Sequence, residues 1–110
     1  MRHKQTRLYQ RSLELVAVSR QVVEALPVGF GFLSDQLRRA SASVVLNFSE
    51  GSGKRSPKER QRYFRIARGS VLEVDAILDV AHEWDVIDAA VHSRGKDICD
   101  HLSALLFIFR

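Results

Sequence analysis

The sequence contains only one cysteine, two prolines and six glycines in 110 residues. The single Cys99 has no partner for an intramolecular disulfide, so a disulfide-stapled secreted domain is disfavoured and a cytoplasmic location is expected. Because Pro and Gly are scarce, the chain has few of the turns from which sandwiches and barrels are built. Long helices with short connections are favoured, and 45% hydrophobic with 27% charged residues indicates an ordered globular chain.

Long apolar runs are also missing. No stretch approaches the roughly 20 apolar residues that a membrane-spanning helix requires, and the basic start of the chain is followed by an amphipathic segment without a signal-peptide core. The most apolar stretch, residues 103–109, is expected to pack against the rest of the chain or against a neighbouring chain. The chain is long enough to fold alone, which predicts a single domain over residues 1–110. Because it lacks a long apolar run, it is not expected to bind membranes.

Apolar residues recur at spacings of three and four in four segments, which predicts amphipathic helices with one buried face each. Helix one is predicted over about residues 6–25. Residues 26–32 contain one proline and two glycines and break the pattern. Ser34 is the predicted N-cap of helix two, which is expected to end at Glu50 with Gly51 as a left-handed C-cap.

Helix three has the strongest start signal in the sequence. Ser56 is followed by Pro57 and Glu59, which combine an N-cap, a first-turn proline and the third-position Glu of a capping box. This helix is predicted to run to about residue 84, and Asp88 is the predicted N-cap of helix four. Four helices with short connections predict an all-α, up-down-up-down antiparallel four-helix bundle.

Positive and negative residues are segregated along the chain, although the formal net charge is only +4. Residues 54–68 contain seven Lys or Arg and one Asp or Glu, whereas residues 69–101 contain two and eight. On a helical projection four of the basic side chains of helix three fall within about 120° opposite its apolar face, and acidic side chains follow further along the helix. We name Lys58, Arg62, Arg65 and Arg68 the basic strip, and Asp75, Asp79 and Glu83 the acidic group.

The helix macrodipole favours acidic residues near the N-terminus and basic residues near the C-terminus, so helix stability does not account for this charge order. Three explanations are open. The face is simply solvated, or the basic strip contacts phosphate groups, or the basic and acidic halves of neighbouring chains meet in a head-to-tail ring. The last two are compatible. The strip contains no set of aromatic side chains suited to base stacking, which argues against the reading of single-stranded sequences.

No constellation of residues indicates an enzyme, a cofactor or a metal. Residues 51–56 resemble a phosphate-binding loop, but its first glycine is missing and Arg55 replaces the magnesium-binding Ser or Thr. The loop is still favourable for an anion at a helix N-terminus. The four histidines lack metal-ligand spacing. Cys99 is predicted to be a small core residue, and Asp97 and His101, four residues apart, are expected to pair on the surface.

Two polar residues near the end of helix two have a structural interpretation. Asn47 and Glu50 are expected to hydrogen-bond the turn that joins helices two and three. With Gly51 and Ser56 they form the predicted structural turn.

A set of short motifs extends over about residues 36–87. The motifs are Gln36-Leu37-Arg38-Arg39-Ala40, Asn47-Phe48-Ser49-Glu50-Gly51, Arg55-Ser56-Pro57-Lys58-Glu59, and Ile66-Ala67-Arg68-Gly69-Ser70 with Glu73. In order and spacing they resemble the four-helix-bundle family named after the protein encoded in intervening sequences of bacterial 23S ribosomal RNA genes. Helices one and four resemble that family in length and pattern only.

The resemblance implies a cytosolic bundle that assembles as a homopentameric ring and has no established enzymatic activity. The chain is also similar to the accessory protein of diversity-generating retroelements, which binds nucleic acid and a partner reverse transcriptase. This similarity makes a reverse transcriptase a candidate partner of the chain. Arg60 and Arg68 depart from the family, which usually has apolar residues there. Gly69 and Gly95 lie inside helices, where Gly costs about 1 kcal/mol relative to Ala, and close approach of another helix is the expected reason.

These observations predict a non-enzymatic homo-oligomeric module that binds nucleic acid, RNA in particular, by neutralising phosphates. The expected contact residues are Arg38, Arg39, Lys54, Arg55, Lys58, Arg62, Arg65 and Arg68. The alternative is a structural or adaptor oligomer that binds a protein partner and whose basic strip pairs with the acidic group of the next chain. In that case Asp75, Asp79 and Glu83 are oligomer contacts.

Overall fold

A computed structural model describes the backbone of residues 3–108 and the side chains of residues 5–108. The secondary structure of this part of the chain consists of four helices, α1 (His3–Ala25), α2 (Gly31–Ser52), α3 (Pro57–Glu83) and α4 (Ala89–Ile108). Each helix packs against the next, and α4 packs back against α1. Because the connections have only four or five residues, consecutive helices run antiparallel. The predicted all-α four-helix bundle is confirmed.

The core is formed by apolar side chains from all four helices. In α1, Leu8, Leu15 and Val22 are buried at intervals of seven residues, or about two helical turns. The largest buried side chains are Phe48 on α2 and Phe64 on α3, whose rings stack with 5.5 Å between centroids. The contact between these rings joins α2 and α3 beside the turn that connects them.

The C-terminal apolar stretch is divided between core and surface. Leu105 and Leu106 pack on the core, whereas Phe107 and Ile108 are exposed. Phe109, the last residue of that stretch, lies outside the described residues. No helix within residues 3–108 is long and apolar enough to cross a membrane.

Two helix starts have the predicted capping chemistry. The Ser56 hydroxyl accepts the backbone N–H of Glu59 at 3.4 Å, and Pro57 occupies the first helical position. Oδ1 of Asp88 accepts the backbone N–H of Val91 at 2.8 Å. Each side chain satisfies a donor that the first helical turn leaves unpaired. The predicted N-caps Ser56 and Asp88 are confirmed.

Both predicted ends of α2 are wrong. The helix begins three residues before Ser34, whose backbone N–H donates to the Phe30 carbonyl as part of the first turn. At the other end Gly51 is helical and buried, and it is not a left-handed cap. The reason is the Phe64 ring, because a Cβ on Gly51 would lie 2.7 Å from it. Gly51 therefore permits close packing of α3 against α2 and does not end the helix.

The predictions for the two mid-helix glycines differ in outcome. A Cβ on Gly95 would lie 2.5 Å from Cδ1 of Leu78 and 3.5 Å from Cγ1 of Val18. Close approach of α4 to its two neighbours is therefore confirmed at Gly95. No helix of the same chain approaches Gly69, which is exposed and has no atom within 4 Å of the Cβ position. Gly69 lies on the outer side of α3, so the bundle itself does not require a glycine there.

Candidate nucleic-acid interface

The first half of α3 presents cations on its outer face. Lys58, Arg62 and Arg65 are exposed and separated by three or four residues, so they lie above one another along about 10 Å of the helix. The Ser56 cap starts the helix immediately before them. Apolar residues of the same turns point into the core, which directs these three side chains to solvent.

Little acidic charge neutralises these cations. Oε2 of Glu59 is 4.0 Å from Nη1 of Arg62, and Oε1 of Glu50 is 3.6 Å from Nζ of Lys54. Exposed pairs of this kind contribute only about 0–1 kcal/mol and are screened by salt. Among the lysines and arginines of residues 54–65, the side chains of Arg55, Lys58 and Arg65 form no hydrogen bond or ion pair with the described residues. The start of α3 therefore retains most of its positive charge.

Tyr63 joins the strip to the preceding turn. Its ring centroid is 5.4 Å from Nζ of Lys54 and 5.2 Å from Cζ of Arg62. Cations at these distances are attracted to the face of an aromatic ring. The half-buried tyrosine thus holds two of the candidate contact residues near each other.

Arg60 and Arg68, the two departures from the family pattern, both bind backbone carbonyls. Nη1 of Arg60 donates to the carbonyl oxygens of Lys54 and Arg55, at 3.1 Å and 2.8 Å, and so stabilises the turn before α3. Nε of Arg68 donates to the Ser103 carbonyl of α4 at 3.3 Å. Arg68 is half-buried and is the most constrained member of the basic strip.

Arg38 and Arg39 lie apart from the basic strip. Arg38 lines a groove between α1 and α2 that includes Val16. Arg39 lines a cleft between α2 and α3, where Ser70 and Glu73 are the α3 residues. Both arginines are exposed, but the structure does not join them to the cations at the start of α3. Their role as nucleic-acid contacts stays a prediction.

An aromatic side chain from α4 lies beside the strip, although α3 alone indicated no base-stacking platform. The ring centroid of Phe107 is 5.6 Å from Cζ of Arg68. Sequence reasoning missed this neighbour because the two residues are far apart in the chain. The available signal was the antiparallel order of the helices, which places the end of α4 next to the start of α3.

Two members of the acidic group pair within the chain. Nζ of Lys96 on α4 lies 2.9 Å from Oδ2 of Asp75 and 2.8 Å from Oδ2 of Asp79, and Nε2 of His92 lies 2.8 Å from Oδ1 of Asp79. Hydrogen bonds from Lys96 and His92 lower the pKa of Asp79. Burial opposes the charge of Lys96, but its hydrogen bonds to the two carboxylates outweigh this effect and raise its pKa. Glu83 is exposed and forms no ion pair with the described residues.

The residues of the predicted structural turn have different partners. Nδ2 of Asn47 donates to the carbonyl and to the hydroxyl oxygen of Ser43, both at 2.9 Å. The Ser43 hydroxyl lies 2.7 Å from the Ser70 hydroxyl of α3. Asn47 therefore supports the contact between α2 and α3 and does not hydrogen-bond the turn as predicted, because Ser43 lies one helical turn before it on the same face. Glu50 does span the turn, through its ion pair with Lys54.

The other candidate reactive groups have structural partners. Cys99 is 2% exposed, and burial raises the pKa of its thiol to about 12, so its interpretation as a core residue is confirmed. Nδ1 of His101 accepts a hydrogen bond from Nε of Arg11 at 3.1 Å, and the predicted pairing with Asp97 is wrong. Among the side chains that the structure describes, no three His, Cys, Asp or Glu lie where they would hold a metal ion.

Comparisons with known proteins agree with this fold. The sequence model of a family described as 23S rRNA-intervening sequence protein matches residues 4–107. The crystal structure of a protein of unknown function from the S23 ribosomal protein family of Bacteroides thetaiotaomicron is similar, with a TM-score of 0.85, 18% identity and 96% of each chain covered. At this identity the likeness shows the shared fold alone. No curated protein matches the sequence significantly.

Proposed function

The chain belongs to the 23S rRNA-intervening sequence protein family, and we propose that it is a non-enzymatic, homo-oligomeric cytoplasmic module that binds RNA electrostatically. The observation that carries the proposal is the row of exposed, weakly paired cations Lys58, Arg62 and Arg65 on α3. Phosphate groups attract such a row because each neutralised phosphate releases a condensed counterion. Binding of this kind falls steeply with salt and reads little base sequence.

Self-association is supported by apolar side chains on the outer face of α3, within and beyond the basic strip. Ile66, Leu72 and Val80 are exposed there, with the exposed Gly69 and Ala76 on the same side of the helix. Apolar side chains exposed in a row favour contact with another chain. A cyclic oligomer, a pentamer by the family resemblance, would present the strip several times to one RNA and raise avidity. Light scattering tests this part, and a monomer at every salt and protein concentration would contradict it.

An adaptor oligomer, in which the strip pairs with the acidic group of the next chain, has less support. Asp75 and Asp79 already pair with Lys96 and His92 of their own chain. Glu83 is then the one member of the acidic group without an ion pair among the described residues. We therefore favour RNA over a neighbouring acidic surface as the ligand of the strip.

The test is fluorescence anisotropy with a labelled RNA at low and moderate salt, comparing the wild type with the double variant Arg62→Glu plus Arg65→Glu. Both side chains are exposed, so the exchange leaves the core intact. We expect the variant to lose affinity by about tenfold or more at low salt. Its log–log salt dependence should flatten by about 0.7 for each phosphate of a single strand that the variant no longer neutralises.

A matched control is Arg20→Glu plus Arg94→Glu, which changes the net charge equally at the other end of the bundle. These exposed arginines bond only to Glu24 and Gln21 among the described residues. Affinity in the strip variant equal to that of the wild type would refute the proposal. An equal loss in both double variants would assign the attraction to net charge and not to the strip.

A further inference from the structure

A groove of about 350 Å³ lies open between α1 and α2. Small and apolar side chains make up much of its lining, namely Val16, Ser19, Val23, Ser41 and Ala42. Ser19 and Ser41 are buried, so short side chains lie between the two helices. The exposed Leu13 and Leu46 lie one turn from Val16 and Ala42, and they extend the apolar surface towards the same end of the bundle. We name this surface the α1/α2 groove.

The outer side of α3 carries an apolar row that fits such a groove. Leu72, Ala76 and Val80 are exposed and separated by four residues, so they lie above one another along about 12 Å of the helix. We name these three residues the α3 ridge. A row of this kind packs between two helices when its side chains enter the spaces beside small residues. The ridge begins two turns beyond Arg65, so it leaves the cations at the start of α3 uncovered.

The groove and the ridge lie at the same height along the bundle. The hydroxyl oxygens of Ser43 on α2 and Ser70 on α3 are 2.7 Å apart, so these two residues are level with each other. Because α2 and α3 are antiparallel, two residues further along α3 corresponds to two residues back along α2, and Leu72 is level with Ser41. In a ring of identical chains with its axis parallel to the helices, every residue keeps its height. Leu72 of one chain therefore meets the groove of the next chain at Ser41 and Ala42.

A pair of opposite charges fits the same alignment. Glu73 of α3 and Arg38 of α2 are exposed, and neither side chain has a hydrogen bond or ion pair among the described residues. By the same count the two residues differ by about 3 Å in height. Glu73 projects about 60° from the α3 ridge towards α2. In a ring whose chains all point the same way, α2 of the next chain lies on that side of α3, so Glu73 faces Arg38 of the next chain.

We propose that the α3 ridge of one chain docks in the α1/α2 groove of the next chain and so forms the interface of a cyclic homo-oligomer. This inference rests on the self-association in the proposed function and names the two surfaces that meet. Contacts between two different patches are heterologous, and they form rings when the rotation closes. A two-fold pair of α3 ridges would leave the groove uncovered, with its Arg38 and the exposed Leu46. The occupant of the groove is therefore a second copy of this chain.

Cross-linking of two variants with one added cysteine each tests the contact. Ala42→Cys and Leu72→Cys are unfolded together in urea, refolded so that both enter the same oligomers, and treated with a short bismaleimide. We expect covalent dimers from this mixture on denaturing electrophoresis and none from either variant alone, because each interface joins position 42 to position 72. The wild type is the control for Cys99, which is buried. Ala104→Cys in place of Ala42→Cys is the matched control, since Ala104 is exposed on α4, away from the groove, and should give no dimer.

Charge exchange gives a second readout that needs no cross-linker. Arg38→Glu or Glu73→Arg alone places like charges together at every interface. We expect each single variant to raise the protein concentration at which the oligomer dissociates by about tenfold or more, measured by light scattering without RNA. The double variant Arg38→Glu plus Glu73→Arg restores opposite charges and should assemble as the wild type does. Arg94→Glu, an equal charge change on α4, should leave assembly unchanged, and circular dichroism checks that each variant is folded.

The outcomes separate this inference from the proposed function. Dimers from Leu72→Cys alone would indicate a two-fold contact between α3 helices and overturn the assignment. An oligomer that gives no dimers in the mixture, or a double charge variant that stays dissociated, also overturns it. Loss of RNA binding in Arg62→Glu plus Arg65→Glu still supports the proposed function in those cases. A wild type that is monomeric at every protein concentration overturns both this inference and the proposed self-association.

Discussion

Substitution of Gly51 by alanine tests how closely α2 and α3 pack at their connecting turn. An added Cβ would lie 2.7 Å and 2.8 Å from two carbons of the Phe64 ring and 3.0 Å from Cβ of Tyr63. Ordinary contacts of a Cβ begin at 3.4 Å, so the ring would have to move by about 0.7 Å. Phe64 is 2% exposed and stacks on Phe48, which leaves it little room to move.

Two opposing effects set the magnitude. Alanine favours a helix over glycine by up to about 1 kcal/mol, with less effect near a helix end such as Gly51. Overpacking a well-packed core costs about 1–3 kcal/mol. We therefore expect Gly51→Ala to lower the free energy of unfolding by about 1–2 kcal/mol. Gly69→Ala is the matched control, because no atom lies within 4 Å of its Cβ position and only the helix preference acts, which raises stability by about 0.5–1 kcal/mol.

Urea denaturation followed by circular dichroism measures both effects. The midpoint should fall for Gly51→Ala and rise for Gly69→Ala, with an unchanged m value, because the surface exposed on unfolding is the same. A Gly51→Ala protein as stable as the wild type would refute the packing argument, since the Phe64 ring would then move freely. A destabilised Gly69→Ala protein would indicate that Gly69 meets a second chain in the assembly.

Two further predictions concern titratable groups. Cys99 should not react with a thiol reagent at pH 8 in the native protein, because burial raises its pKa to about 12 and the thiolate is the nucleophile. It should react fully in urea. Rapid labelling of the folded protein would contradict its position in the core. Hydrogen bonds from Lys96 and His92 lower the pKa of Asp79 from 3.8. The stability that the ionised carboxylate contributes is therefore present above about pH 3.8, and it is lost as the pH falls through the lower pKa of the folded state. Asp79→Asn should therefore melt earlier than the wild type near neutral pH and lose less stability below about pH 4. Parallel melting profiles of the two proteins across this range would show that the ion pairs contribute nothing.

Helix ends were predictable where their chemistry is local. Ser56 and Asp88 each accept an N–H three residues further along the chain, so the cap and its partner appear together in the sequence. The end of α2 was not predictable in this way. Gly51 is required by the Phe64 ring on the next helix, and a rule based on neighbouring residues assigned it a left-handed turn.

In the candidate site too, features within one helix were predictable and contacts between helices were not. Lys58, Arg62 and Arg65 are exposed as expected, because they lie opposite the apolar positions of one helix. Arg68 lies at the edge of that face, where α4 supplies the Ser103 carbonyl and the Phe107 ring. The spacing of residues within α3 does not indicate either neighbour.

The pattern of residues along the chain predicts the four helices, their buried faces, two capped starts and the segregation of charge, because each depends on residues within one or two helical turns. Which charges stay available for a partner depends on contacts between helices. Lys96 of α4 pairs with Asp75 and Asp79, whereas the described residues bring no acid to Lys58. The tertiary structure also placed Phe107 against Arg68. These contacts depend on how α4 lies against α3, and a pattern along a single helix carries no information about the position of its neighbour.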